Sequence, residues 1–206
     1  MNDPPYRIVT ERLVVRCWEP RDAPLLKEAV DSSLDDLRPW MPWAYDEPQT
    51  VDEKGQLLRR FRGQFDLGEG FVFGLFSPDE SEVVGGSGLH RRVGPGAFEI
   101  GYWIRSSRAG AGLATEVAAA LSRVGFELCG ADRIEIHTEP GNERSIAIPR
   151  KLGYVEEARL RRRLYAAPGG EPRDAVIFTL FRADYPGTAA AAAQLEAYDA
   201  LGERVL

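Results

Sequence analysis

The chain reads as an α/β protein with a mixed central β-sheet flanked by helices and an added helix at its C-terminal end. Three observations carry this. An apolar strand-like run, Ala97–Ile104, passes through the small-residue turn Gly110-Ala111-Gly112 into a segment with Leu113, Val117, Leu121, Val124 and Leu128 on one helical face. Before it, strand patterns follow one another as a meander. After it, helix and strand patterns alternate.

The elements follow in order. Residues 12–18 set Leu13, Val15 and Cys17 against Val14, Arg16 and Trp18, a strand alternation. Glu19-Pro-Arg-Asp22 turns into a helix with Asp22 as its expected N-cap and Leu25, Leu26, Ala29 and Val30 as its apolar face. Pro39, Pro42 and Pro48 make the next stretch a loop that carries Trp40 and Trp43. A second helix is expected over 51–65. Phe71–Phe76 and residues 82–92 read as strands, and Val93-Gly-Pro-Gly-Ala97 closes a hairpin onto the strand carrying Glu99. Residues 134–138 form a further strand. Asn142 is the expected N-cap of a helix that stops at Leu152-Gly153. Two last strands, 154–164 and 175–182, flank the connection 166–170. Ala189 to Ala193 are strong helix formers, and Leu195, Tyr198, Leu201 and Val205 recur at helical spacing. The tail is therefore expected as an amphipathic helix, packed on its own domain or on a second subunit.

Composition bounds the function. A length of 206 residues suits one domain with a terminal appendage. Apolar residues at 44% and charged residues at 28% are ordinary for a globular protein. A net charge of −6 argues against generic nucleic-acid binding and against an anionic membrane surface. Cys17 and Cys129 fall in apolar segments and are expected as buried thiols. Two cysteines and two distant histidines give no metal-ligand spacing. With no signal-like N-terminus and no transmembrane-length run, the expected location is cytoplasmic.

The turn at 110–112 carries the first chemical signal. Gly110, Ala111 and Gly112 let backbone N–H groups approach a pyrophosphate, and the helix N-terminus behind them adds about half a positive charge. Alone, such a turn is as well read as an ordinary Gly-rich connection. Further motifs sharpen it: Glu99-Ile-Gly-Tyr-Trp103, Gly110-x-Gly-x-Ala-Thr-Glu116 and Asn142-x-x-Ser145 with Leu152-Gly-Tyr154. Thr10-Glu-Arg-Leu-Val-Val-Arg16 and Leu37-Arg-Pro-Trp-Met-Pro-Trp43 accompany them. Together these resemble the GNAT superfamily of N-acetyltransferases, in its RimJ/RimL-like branch. The resemblance covers roughly residues 8–182, with 183–206 as the helical extension.

The resemblance implies acetyl transfer from acetyl-CoA to a primary amine, a protein N-terminus or a small amine, by direct attack in a ternary complex. It puts the pyrophosphate on Ala109, Gly110, Ala111, Gly112, Leu113, Ala114 and Thr115, and the pantetheine along Tyr102, Trp103 and Ile104. The family usually has Gln or Arg where this chain has Ala109, and Arg108 is the candidate to take over that phosphate contact. Glu99 is the candidate to take the amine proton through water, and His90, on the partner strand, has the better-matched pKa. The Tyr that many family members carry seven residues after the Asn is Pro149 here. Ser145 is therefore the candidate to hydrogen-bond the departing sulfur, or a helix serine satisfying backbone. Pro149 also strips the Ser145 carbonyl of its helical partner. Asn142 caps, contacts pantetheine or orders water. Trp40, Trp43 and Tyr102 line the acceptor cleft or pack in the core. Arg159, Arg161, Arg162 and Arg163 meet phosphates, an acidic acceptor or solvent. No metal is implied, and a monomer or homodimer is expected. Two rivals stand beside the enzyme: a silent CoA-binding sensor or scaffold, and a succinyl-CoA-type acyltransferase. A Rossmann dinucleotide protein is disfavoured by the meander before the turn.

Overall fold

Residues 1–164 and 168–206 are described by the structure, a computed structural model. The connection expected over 166–170 therefore lies partly outside the described residues. Among them, nine strands form one sheet in the order β7-β8-β6-β5-β4-β3-β2-β1-β9. In chain order these are β1 (Arg7–Val9), β2 (Val14–Cys17), β3 (Phe71–Phe76), β4 (Val83–His90), β5 (Ala97–Ile104), β6 (Arg133–Thr138), β7 (Val155–Leu164), β8 (Arg173–Phe181) and β9 (Glu196–Tyr198). Every pairing is antiparallel except β5 with β6. The sheet is mixed, as the sequence predicts.

Strand alternation sorts side chains onto two faces. Phe71, Phe73, Phe98, Ile100, Ile134 and Ile136 meet α4 (Leu113–Glu127), whose Val117, Leu121 and Val124 are fully buried. On the other face, Val14, Trp18 and Phe76 pack under α1 (Ala23–Asp31) and α3 (Val51–Asp66) through Leu26 and Leu58. The short α2 (Leu34–Leu37) leads into the Pro-rich loop. No helix among the described residues is long and apolar enough to cross a membrane.

One expectation is qualified and one is corrected. Asp22 holds the N-cap position of α1, but its side chain makes no capping bond there. It closes a 3-10 turn, Pro20–Asp22, by accepting the Glu19 N–H at 2.9 Å, and its carboxylate pairs with Arg16 at 2.8 and 2.9 Å. The guanidinium competes better for that carboxylate than the helix N-terminus does. The C-terminal helix is absent. Thr188 begins a series of turns, and β9 then pairs with β1, Ile8 opposite Ala197. The chain reverses at Asp199, whose side chain accepts the N–H groups of Leu201 and Glu203 at 2.8 and 2.9 Å. Five alanines are too few to repay helix nucleation, while the open edge of β1 offers backbone hydrogen bonds at once. Leu201 is left 85% exposed, so the helical spacing of apolar residues forms no face. The tail packs on its own chain: Ala190 and Ala197 are buried, and Arg123 donates to the Ala193 carbonyl at 2.8 Å.

The Pro-rich loop is fastened from beneath. Lys54 of α3 and Glu47 form an ion pair with both side chains 2% exposed, and the second Glu47 oxygen accepts the Gln49 N–H at 2.9 Å. Arg38 donates to the carbonyls of Ala44 and Glu47. Breaking such a pair leaves an uncompensated buried charge, whereas replacing both ions leaves none. Lys54→Met is expected to cost about 3–5 kcal/mol in urea unfolding. Lys54→Met with Glu47→Leu should regain most of that loss. A single variant within about 1 kcal/mol of the parent chain would refute the burial of this pair.

Candidate active site

The parallel register between β5 and β6 is short. It joins Ala97 to Arg133, Phe98 to Ile134 and Glu99 to Glu135, and stops there. Beyond it, β5 runs on to Ile104 paired only with β4, and β6 runs on to Thr138 paired only with β8. The two strands diverge into a cleft edged by the backbone of Ile100 to Ile104.

At the far end of β5 lies the Gly-rich turn. Gly110 and Gly112 have φ of +78° and +81°, a conformation that side chains disfavour. A Cβ at Gly110 would meet nothing within 4 Å, so the turn presents bare backbone to open space. Leu113, Ala114 and Thr115 form the first turn of α4, whose N–H groups have no intrahelical partner. Arg12 braces the loop. It donates to the Ala111 carbonyl at 2.7 Å and to Glu116 of α4 at 2.6 and 2.7 Å. Thr10 donates to the same carboxylate at 2.6 Å. Drawing the Ala111 carbonyl toward Arg12 keeps an acceptor away from an incoming phosphate. Loop and helix end thus suit a pyrophosphate. Arg108 instead forms an exposed pair with Glu82, at 2.6 Å. Ala109 follows the 3-10 turn Ser106–Arg108.

The cleft has two chemically distinct walls. On the α4 side, the Tyr102 hydroxyl lies 3.2 Å from Ser145 Oγ and 3.4 Å from the Ser145 carbonyl oxygen. That carbonyl is the one Pro149 leaves without a helical N–H in α5 (Glu143–Leu152), so Tyr102 supplies the missing donor. Burial pushes the Tyr102 phenol up to about 12, against the opposing Ser145 contact. It remains a neutral donor. Asn142 caps α5, its Oδ1 accepting the Ser145 N–H at 3.1 Å.

Glu99 and Trp103 alternate onto the opposite face. Glu99 Oε1 and Oε2 accept from Arg92 at 2.6 and 2.7 Å. Burial pushes this carboxyl up, but its hydrogen bonds from Arg92 prevail and hold it below the usual carboxylate range. His90 is its cross-strand partner. Burial and Arg92 push the His90 imidazole down to about 4, so the ring is neutral. The His90 ring lies over Gly88, where a Cβ would come within 2.6 Å of Nε2. His137 of β6 brings Nδ1 to 3.8 Å from Glu99 and Nε2 to 2.7 Å from Glu135. The Trp43 and Trp103 rings meet edge to face at 5.9 Å. Trp40 and Trp43 are each 37% exposed. Arg173 ties this loop to the sheet, bonding the Pro39 carbonyl and Glu139, both at 2.6 Å.

The predicted residues therefore divide. Tyr102 and Ser145 meet on one wall, and Glu99, His90 and Trp43 lie toward the other. Tyr102 is separated from the tryptophans it was grouped with, because it alternates to the opposite face of β5 from Trp103. Cys17 and Cys129 are buried, and burial raises both thiols. Arg159 and Arg162, on exposed β7, pair with Glu156 and Glu171. Arg12, Arg92, Glu135 and His137 were not singled out from sequence. Glu135 and His137 did carry one signal, the i, i+2 spacing of polar residues in an otherwise apolar strand.

Comparison with known proteins supplies the rest. Residues 12–155 match the acetyltransferase (GNAT) domain family. The [ribosomal protein uS5]-alanine N-acetyltransferase of Escherichia coli (strain K12) is 32% identical over 194 residues, covering 90% of this chain and 96% of that protein. Mycobacterium smegmatis RimJ, solved in complex with CoA-disulfide, superposes with a TM-score of 0.80 at 26% identity, over 92% of this chain and 94% of that one. RimL, the ribosomal L7/L12 alpha-N-protein acetyltransferase solved with coenzyme A, shares the fold at a TM-score of 0.73 and 20% identity, over 84% of this chain and 96% of that one. With its diverging strands, its open glycine turn and a family match over most of its length, the chain belongs to the GNAT family and is an acetyl-CoA-dependent N-acetyltransferase.

Proposed function

We propose that the acceptor is the α-amino group of a protein or peptide, acetylated by direct attack within a ternary complex. The two-walled cleft between β5 and β6 is the observation that carries this reading. A thioester lying along the β5 backbone has hydroxyls on one side and a carboxylate on the other. The name of the Escherichia coli relative, an alanine N-acetyltransferase of a ribosomal protein, supports the acceptor class. The same relative supports a cytoplasmic location.

The roles follow from charge. N–H groups of Gly110 to Thr115 hold the pyrophosphate of acetyl-CoA. Backbone groups of Tyr102, Trp103 and Ile104 bond the pantetheine amides as a further strand would. Glu99 faces the acceptor ammonium and draws off its proton through water. The nitrogen lone pair then forms the C–N bond, and backbone N–H groups receive the charge on the carbonyl oxygen. As the C–S bond breaks, Ser145 Oγ–H bonds the sulfur, and Tyr102 keeps Ser145 oriented. Trp40 and Trp43 flank the acceptor chain. Arg108 reaches phosphate only by leaving Glu82.

The direct test is a panel of free-amine peptides and small amines with acetyl-CoA, read by mass spectrometry. Peptides should gain one acetyl group at the N-terminus. Acetylation of small amines alone would overturn the acceptor class. Steady CoA binding with no product from any amine would favour the silent sensor.

Ser145→Ala is expected to lower kcat by about 10–100-fold while leaving the KM for acetyl-CoA within about twofold, since its bond to sulfur strengthens in the transition state. A changed melting temperature with unchanged kcat would make Ser145 structural.

His90 makes a separate prediction. Its folded pKa, about 4, lies below the ordinary 6.5, so the unfolded chain binds the proton more readily. The stability this gives is complete above pH 6.5 and is lost as pH falls toward 4. About 2–3 kcal/mol of the fall in urea-unfolding stability between pH 7 and 4 should vanish in His90→Gln. The Glu99 contribution has the same sign and should remain. An unchanged pH slope would show that His90 is not buried neutral.

A further inference from the structure

The parallel register that sets Glu99 beside Glu135 also brings His137, two residues along β6, toward the same carboxylate. The Glu135 contact at 2.7 Å fixes the imidazole. A carboxylate accepts only, so Nε2 carries a hydrogen, and in the neutral ring Nδ1 bears the lone pair. That lone pair faces Glu99 Oε2 across 3.8 Å. In that form two acceptors confront each other, and the gap between them has room for one proton.

We propose that His137, oriented by Glu135, is the proton store of the reaction, filled through Glu99. This rests on the reading of Glu99 as the carboxylate that faces the acceptor amine. Glu99 alone is a poor terminus, because Arg92 occupies both its oxygens. An ordinary carboxyl lies more than three pH units below an α-amino group, and an imidazole only a little over one. A proton reaching Glu99 meets an imidazole nitrogen already aimed at it.

The balance closes. The ammonium gives one proton by way of Glu99 to His137 Nδ1. The freed lone pair forms the C–N bond. The second N–H proton lost on forming the amide balances the proton gained by sulfur as the C–S bond breaks. His137, with its side chain 20% exposed, then releases its proton to water. His90 does not fill this role, since Arg92 and burial keep it from holding a proton. The charged and titratable groups around the imidazole are Glu135 and Arg133 on β6, Glu99 on β5, His90 and Arg92 from β4 and its turn, and Glu157 on β7. Arg133 pairs with Glu135 at 2.8 Å, and Glu157 bonds Thr179, the cross-strand partner of Glu135. Each guanidinium here engages a carboxylate, which leaves the imidazole to take the mobile proton.

The test measures kcat/KM from pH 6 to 9.5 for the full chain, His137→Gln and Glu135→Gln, using an acceptor peptide that the parent chain acetylates. Acetyl-CoA affinity is measured by calorimetry in parallel. At pH 7, His137→Gln should lose about 10–100-fold and Glu135→Gln about 3–10-fold, with acetyl-CoA affinity unchanged. Near pH 9.5 the amine is already neutral, so both defects should shrink to within about threefold. A merely structural role would give the same loss at every pH. Such a flat loss, or full activity of both variants at pH 7, overturns the proton store while leaving acetyl transfer intact. Should His137→Gln not fold, Glu135→Gln carries the test, because its amide oxygen still accepts from Nε2. A parent chain that binds acetyl-CoA yet acetylates no amine overturns both readings.

Discussion

Where the pairing of β5 with β6 ends decides what the rest of the molecule can do. Only three residue pairs join these strands, the last being Glu99 with Glu135. Ending there frees one edge of five β5 residues from sheet bonding, and unpaired backbone in a cleft must find a partner in ligand or water. β4 holds the other edge in register as far as Ile104. The cleft is therefore rigid on one side and open on the other. Arg12, from the segment before β2, stiffens the glycine turn at its end. A ligand would meet an already formed groove, and less binding energy goes into ordering it.

Pro149 shows how this site absorbs a departure from the family pattern. A proline inside a helix removes a hydrogen bond and leaves a carbonyl unsatisfied, which is costly when that carbonyl is not solvated. In α5 the orphan is the Ser145 carbonyl, and the Tyr102 hydroxyl reaches it from β5. One side chain thus repairs the helix and stands beside Ser145 Oγ.

Much of this was legible in sequence because it is local. The meander, α4, the Asn142 cap and the Gly153 stop of α5 rest on periodicity and on residues that act within a turn of themselves. The glycine turn was legible for the same reason. The tail misled because helix propensity of a few alanines is a weak local term, and the edge of β1, nearly two hundred residues away, outweighed it. Asp22 stands at the expected cap position, but its carboxylate turns to Arg16, which reaches it from the neighbouring strand. The polar chain through His137 was hidden in a similar way. Its members come from positions 92, 99, 135 and 137, and only the parallel register sets the Arg92–Glu99 pair beside the Glu135–His137 pair.

The Arg92–Glu99 pair fixes a carboxylate at the cleft without enclosing it. Glu99 is nearly buried, its side chain 9% exposed, and an unpaired charge there would be costly. Arg92 supplies the counter-charge but is itself 60% exposed. Its attraction is therefore screened by water, and an exposed partner contributes little on its own. Such a pairing holds Glu99 in one rotamer without locking it away. In the proposed reaction a cationic amine entering the cleft would compete with a guanidinium that is already half solvated. The same exchange in a fully enclosed pair, such as Lys54 with Glu47, would strand a charge in the core. The protein thus has a fully buried ion pair beneath the Pro-rich loop and a half-solvated one at the cleft.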